Sequence, residues 1–479
     1  MFKKVFAVLV LSAFFAGCSS SPADVVNNVA KATGAADLNS IQYSGTGYTY
    51  TFAQNYLPEV PYPKFNARYT RMIDFEKGLS REQVVRTQFE DPPHGGGGQP
   101  LYTPASGTIV TGDSSSWGPS ALALTPQGWA KAAMTSNPTM QQGTLDGQPA
   151  TVVSFTKGTN KVDGYVNSQN LLERVDTWVP NPIIGDTLIE TRYSDYRDFG
   201  GVKFPTKIVQ KQGGFPILEL TVAEVQPNAS VSIDPPRAPA GAARAEAIPA
   251  GKGVWYLEGT PDPNSMAVEF KDYVVIIESS VTEARALANM EAVRKLVPNK
   301  PIRYNVNSHH HGDHAAGVRA FVSEGAAIIT SEKNKQFYEN VVLKNPHTLE
   351  PDRLSQNPKA AEFVYVTDKY VVDDGTRRLE VYAVMNGHAE NLLFSYLPDE
   401  KMLFITDIFN RFGEPRPNDP PKGIVTPYYA ALGNRIKELK LDIRRVAPSH
   451  GKGVVPVAEL NQTLQGKVEA PPPVLPPAD

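Results

Sequence analysis

Residues 273–307 read as one strand–helix–strand unit, and that reading leaves few architectures open to the second half of the chain. Tyr273-Val274-Val275-Ile276-Ile277 is an unbroken apolar run, the pattern of a strand covered on both faces. Ser280-Val281-Thr282-Glu283 has the form of a capping box. The helix after it repeats Leu287, Met290, Val293 and Leu296 at helical spacing until Pro298 stops it. Residues 303–307 form the next strand, and strands alternating with helices build layered α/β folds. Just past that strand, four of the chain's eight histidines fall in six residues, His309-His310-His311-Gly312-Asp313-His314. A loop fixed by a rigid strand yet open to solvent is a favoured place for chemistry.

The first half is patterned differently. Residues 41–50, 67–75, 151–155, 172–179, 187–196 and 218–225 carry strand signals, punctuated by turns at Asp198-Phe199-Gly200-Gly201 and Gln212-Gly213-Gly214. We expect a β-rich domain over residues 26–233, an antiparallel sheet with few helices. Residues 193–205 resemble the repeated strands of half-barrel domains in lipoprotein carriers. The run Gly95–Gly98 follows His94 and lacks the Lys-Ser/Thr of a phosphate loop, so it reads as a flexible loop without a phosphate role. Proline supplies 41 of 479 residues, roughly 9% against an average of about 5%. It marks residues 234–250 as a Pro/Ala-rich linker and 466–479 as an extended tail, which leaves 251–465 as the second domain.

Residues 1–17 have the form of an export signal. Lys3 and Lys4 precede an apolar run over 5–17, too short to cross a bilayer core of about 30 Å as a helix. The run ends in Phe15-Ala16-Gly17-Cys18-Ser19. This resembles a bacterial lipobox, with phenylalanine where leucine is commoner, and implies cleavage before Cys18 and acylation of its thiol. Cys18 is the chain's one cysteine, so no intrachain disulfide can form. The expectation is an exported protein with residues 18–25 as tether, lipid-anchored to a bacterial membrane, facing the periplasm (outer membrane favoured) or the cell surface. A formal net charge of −3 with no long basic run argues against nucleic acid as a partner. The sequence is silent on protein partners.

Three further residues extend the histidine cluster. His388 lies beside glycine shortly after the apolar stretch 381–384, Asp407 ends the apolar strand 402–406, and His450 follows 445–449. Imidazole and carboxylate are the ligands of zinc and related divalent ions, and an H-x-H-x-D-H loop can offer several of them to neighbouring ions.

His309-x-His311-x-Asp313-His314, His388, Asp407 and His450 resemble the metallo-β-lactamase superfamily in residue type, order and approximate separation. The resemblance spans some two hundred residues and implies an α/β fold, an αββα sandwich of two mixed sheets with helices on both outer faces and metals at one end. By the family pattern, His309, His311 and His388 hold one metal. Asp313, His314 and His450 hold the other, and Asp407 bridges them. Asp313 is also assigned a catalytic role. The implied cofactors are two divalent ions, zinc first, with iron or manganese as alternatives. His310 fills a variable position and is expected to be a neighbour; His94 and His347 are expected at the surface. Where family members often carry a supporting Asp, this chain has Glu278, and Ala315-Ala316-Gly317 replaces the usual Gly-Gly.

Such metals lower the pKa of bound water from 15.7 to about 7. The expected function is therefore hydrolysis of a small-molecule ester, thioester or lactone; Asp407 at the bridging position resembles the glyoxalase-type and lactonase-type branches. Arg411 and Arg416, close after Asp407, could pair bidentately with a substrate carboxylate. The competing readings are a mononuclear iron persulfide-type dioxygenase, a β-lactam hydrolase, and a carrier lipoprotein with a vestigial metal domain.

Overall fold

The computed structural model describes residues 20–111, 120–236, 241–451 and 453–475. The signal segment 1–17 and Cys18 lie outside the described residues.

Residues 40–227 build one antiparallel sheet of eleven strands in which the first, Ser40–Tyr50, pairs with the last, Phe215–Pro227. Its hairpins turn where the glycines predict. Thr187–Phe199 and Val202–Gln212 join through Gly200 and Gly201, both at positive φ, as a two-residue hairpin loop requires. Two helices pack on one face. Pro22–Thr33 inserts Val25, Val26 and Val29, and Pro126–Met134 inserts Trp129, Ala130 and Ala133, among Ile41, Tyr43, Phe155, Val175, Phe204 and Leu220. The first helix begins inside the expected tether 18–25. Ser21 and Asp24 form a capping box around Pro22, a start signal masked by its acidic partner being Asp.

The second half is a four-layer sandwich. One sheet orders Arg244–Gly251, Val254–Thr260, Ser265–Glu269, Val274–Ile277, Ile302–Val306, Ala327–Ser331 and Phe363–Val366, antiparallel up to Val274–Ile277 and parallel beyond it. The other orders Lys369–Asp373, Arg378–Val384, Leu392–Leu397, Met402–Ile405, Arg445–Pro448 and Val455–Pro456. Tyr256, Val275, Val306 and Ile329 of the first meet Val381, Leu393 and Phe404 of the second. Helix Glu283–Leu296 covers the outer face of one sheet through Ala286, Met290 and Val293. Helix Pro427–Leu439 covers the other through Tyr428 and Leu432.

Three expectations need correction. Residues 244–250, read as linker, are an edge strand paired with Val254–Thr260; Pro249 is tolerated because an edge strand can spare one ladder hydrogen bond. The cap of helix Glu283–Leu296 is Thr282, not Ser280, and the buried face carries Arg285 and Asn289 while Leu296 turns outward at 44% exposure. Arg285 can be buried because Leu257 O, Pro261 O and Asn289 all accept from it.

The tail, expected to be extended, is also held to the rest of the chain over its described residues. Lys467–Val468 pairs with Ile424–Val425. Further on, Val474 N donates to Gln88 O at 2.9 Å, and Val474 O accepts from Asn66 Nδ2 and Thr87 Oγ1, strapping the end of the second domain to the first.

Candidate metal centre

Every expected ligand follows the end of a strand at one edge of the sandwich. Ile302–Val306 leads to His309, His311, Asp313 and His314; Arg378–Val384 to His388; Met402–Ile405 to Asp407; Arg445–Pro448 to His450. All seven residues are gathered into two adjoining groups, His309 with His311 and His388, and Asp313 with His314, Asp407 and His450. Asp407 faces both. Its Oδ2 lies 3.4 Å from His309 Nε2, 3.4 Å from His388 Nε2 and 3.0 Å from His314 Nε2. It holds that place at φ +54°, a left-handed conformation that Asp enters more readily than most residues.

The hydrogen bonds around the rings decide which nitrogen each presents. Ser308 Oγ donates to Glu278 Oε2 at 2.7 Å, so its contact with His309 Nδ1 at 3.0 Å must be an acceptance. That leaves His309 Nε2 bare. Asn55 O, an acceptor only, lies 2.8 Å from His311 Nε2 and leaves His311 Nδ1 bare. Glu278 Oε2 meets His314 Nδ1 at 3.0 Å, and Asp262 Oδ2 meets His450 Nδ1. Both of those rings therefore turn Nε2 inward.

These residues fit a metal. His309 Nε2, His311 Nδ1 and His388 Nε2 are buried together without a hydrogen-bond partner, a costly arrangement for polar atoms unless a cation accepts their lone pairs. In the second group, His314 Nε2 lies 3.1 Å from His450 Nε2 and 3.3 Å from Asp313 Oδ2. His450 Nε2 lies 3.4 Å from Asp313 Oδ2 and 3.2 Å from Asp407 Oδ1. Ligands about 2.0–2.1 Å from a tetrahedral zinc are separated by roughly 3.3 Å, so the spacing matches.

Charge separates the two groups. Burial, reinforced by neighbouring imidazoles, pushes His309 and His311 well below the usual histidine range. Burial alone would do the same to His314, but Asp313, Asp407 and Glu278 outweigh it and hold it well above that range. Asp407, Asp262 and Asp313 likewise overcome burial at His450. Burial would raise Asp313 and Asp407, yet the surrounding histidines hold both carboxyls well below the ordinary value.

The first domain roofs this centre, which nothing in the sequence signals. The loop after Ser40–Tyr50 brings Gln54 Nε2 to Asp313 Oδ1 at 2.8 Å and Asn55 O to His311. Gly95 N donates to Gly387 O at 2.8 Å, and Gly96 lies against the rings of His311 and His388. The four-glycine run, expected to be a flexible loop, packs on the site through Gly95 and Gly96. Asp262, in Pro261-Asp262-Pro263, also escaped the pattern of residue types.

Other expected positions divide. His310 stands outside both ligand groups, bonded to Asn55 O at 2.8 Å; burial pushes it down to about 3. His94 is exposed, whereas His347, expected at the surface, is buried at 6% exposure. Arg411 is not brought to the centre: its guanidinium pairs with Glu459 at 2.8 Å. Arg416 stacks 3.2 Å above the Phe412 ring, which lies 5.7 Å from that of His450. Arg416 and Phe412 line a cleft of about 580 Å³ with Asp262, Asn264 and Gly451.

Residues 259–450 match the family model of the metallo-beta-lactamase superfamily. An uncharacterized protein of Methanocaldococcus jannaschii is 26% identical over 175 residues, 33% of this chain and 41% of that protein. A metallo-beta-lactamase from Pontibacter korlensis shares 19% identity and a TM-score of 0.35, covering 46% of this chain and 97% of its own. A metallo-beta-lactamase from Hirschia baltica shares 21% and a TM-score of 0.34, covering 46% and 96%.

Proposed function

Residues 259–450 are a metallo-beta-lactamase superfamily domain, and on that premise we propose that the protein is an exported hydrolase using two divalent ions, zinc first, on an ester, thioester or lactone. The observation that carries this reading is the pair of convergent donor groups sharing Asp407.

His309, His311 and His388 would hold one ion. Asp313, His314 and His450 would hold the other, with Asp407 between them. Bound there, the ions would supply acidified water and positive charge against a developing oxyanion. The chain's own residues set the stage. Glu278 and Asp262 fix the rings of His314 and His450, and Ser308 fixes His309. Asp313 is the most exposed of the seven ligand side chains, at 30%, and takes the proton-handling role beside the reacting water. Arg416, which lines the cleft beside Asp262, would pair with a carboxylate on the substrate. A lipid on Cys18 would hold the enzyme to the membrane, so Cys18→Ser should release it to the soluble fraction.

The test is a substrate panel of esters, thioesters, lactones and β-lactams run on zinc-loaded protein, with metal content measured on the same samples. Turnover of the first three classes, abolished by chelation and restored by zinc, supports the proposal. Fully loaded protein that hydrolyses none of them, yet consumes oxygen with a persulfide when it carries iron, would replace it with the dioxygenase reading.

A further inference from the structure

We propose that the N-terminal sheet supplies part of the metal centre itself. Gln54 is a positioning residue for Asp313, and the Asn55 carbonyl selects the ring form of His311. This rests on the two-metal reading above.

Three contacts carry the inference. Gln54 Nε2 donates to Asp313 Oδ1 at 2.8 Å, holding the carboxylate so that Oδ2 remains turned toward His314 and His450. Ala53 O accepts from Gly312 N at 2.9 Å, pinning the backbone between His311 and Asp313. Asn55 O can only accept, so it keeps the proton on His311 Nε2 and frees Nδ1 to join His309 and His388. The second loop closes against the same rings. A Cβ on Gly96 would fall 2.2 Å from Gln54 Oε1, 2.8 Å from His388 Cε1 and 2.9 Å from His311 Cε1, so only glycine lets the chain lie there undisturbed. Tyr428 Oη donates to Gly95 O at 3.1 Å, and Glu390 N to Tyr56 O at 3.1 Å, which ties both loops to the catalytic domain. The first domain therefore acts on the ligands through directed hydrogen bonds to specific atoms. Residues that orient a metal ligand typically change affinity or activity 10–100-fold when lost, about the scale expected here.

The experiment titrates cobalt(II) into metal-free, full-length protein and follows its visible absorption, with circular dichroism to verify folding. Gln54→Ala and the volume-preserving Gln54→Met should both weaken the cobalt held by Asp313, His314, Asp407 and His450 by roughly 10–100-fold. The cobalt held by the three histidines should keep its affinity. Gly96→Ala should shift the absorption of both cobalt ions, because it pushes on Gln54 as well as on His311 and His388. Gln54→Ala and Gln54→Met proteins that bind both cobalt ions as the unaltered protein does would overturn the inference. Unaltered protein that takes up no cobalt would overturn the two-metal reading and this inference with it. If it binds both ions but hydrolyses nothing, only the hydrolase assignment falls, and the Gln54 comparison still decides.

Discussion

Glu278 Oε2 and His314 Nδ1 meet at 3.0 Å with both side chains wholly shielded from solvent. The same oxygen accepts from Ser308, so one buried carboxylate orients a ring in each metal-binding group. Glu278→Gln keeps the shape and removes the charge. Affinity for the ion beside His314 should fall roughly 10–100-fold. Glu278→Ala strands a buried ring nitrogen and should also cost about 1–3 kcal/mol of stability. Metal titration and thermal unfolding on the same variants separate the two effects.

Asp407→Ala should drop metal content from two ions per chain toward one. His309, His311 and His388 suffice for a zinc with an open position, whereas the other group loses one of its two carboxylates. Turnover should fall further than content, beyond the roughly 100-fold seen when only a supporting residue is lost. Plasma emission and kcat on one preparation test both halves. Two tightly held ions with near-normal kcat would remove the bridging role.

Metal uptake should release more protons at the group holding His314 and His450 than at the group holding His309 and His311. His314 and His450 are held above the ordinary histidine value of about 6.5, so an ion entering there must expel protons. His309 and His311 are already neutral because burial lowers them. Calorimetric titrations in buffers of different ionisation enthalpy count those protons. In the metal-free protein, the raised histidines stabilise fully below about pH 6.5, and that contribution is lost as pH rises through their elevated values. The depressed Asp313 and Asp407 contribute above about pH 4 and lose their contribution on acidification through their own lowered values. Thermal midpoints should therefore decline on the alkaline side without metal and flatten with it.

Arg416→Ala should raise KM for a carboxylate-bearing substrate about 10-fold or more, since a charged hydrogen bond is worth about 1.5–3 kcal/mol. Arg411→Ala should leave KM unchanged, because Glu459 already occupies that guanidinium. Equal effects from both would mean that the segment after Asp407 rearranges when substrate binds.

A fragment beginning near Ala242 retains all seven expected ligands but lacks Gln54 and Asn55. It also lacks Ile183, which is buried with Leu257, Ala316 and Phe321, a contact worth roughly 1.5–3 kcal/mol. The fragment should bind metal more weakly than the full chain and should aggregate. A soluble fragment with full-chain affinity for both ions would show that the roof is dispensable.

Local pattern made much of this legible. The apolar run 273–277 and the glycine-paired hairpins depend on neighbours in sequence and form the expected strands, and the seven expected ligands, all close after strand ends, are brought together. Glu278 stands where the family more often has Asp, and its longer side chain reaches His314 from a backbone at φ +80°. What stayed hidden has a different origin. Gln54 and Asp313 are 259 residues apart, and a contact between domains leaves no periodicity in either segment. Residues 244–250 looked like linker because proline and alanine suit an edge strand as well as a loop. Leu296 was misplaced because Arg285 and Asn289, polar yet fully bonded, own the buried stripe of their helix.

The strap at Val474 has a kinetic meaning. It grips Gln88, the last residue of the strand Leu79–Gln88 that runs into the loop carrying Gly96, while the covalent connection joins the domains elsewhere. With two tethers, the roof stays near the centre even when its loop contacts open locally, at an effective concentration on the order of millimolar, as for short flexible linkers. Its re-closure is then a unimolecular event, independent of how dilute the protein is. The contacts of Gln54 and Asn55 with Asp313 and His311 can re-form after any such opening without the two domains ever having to find one another again.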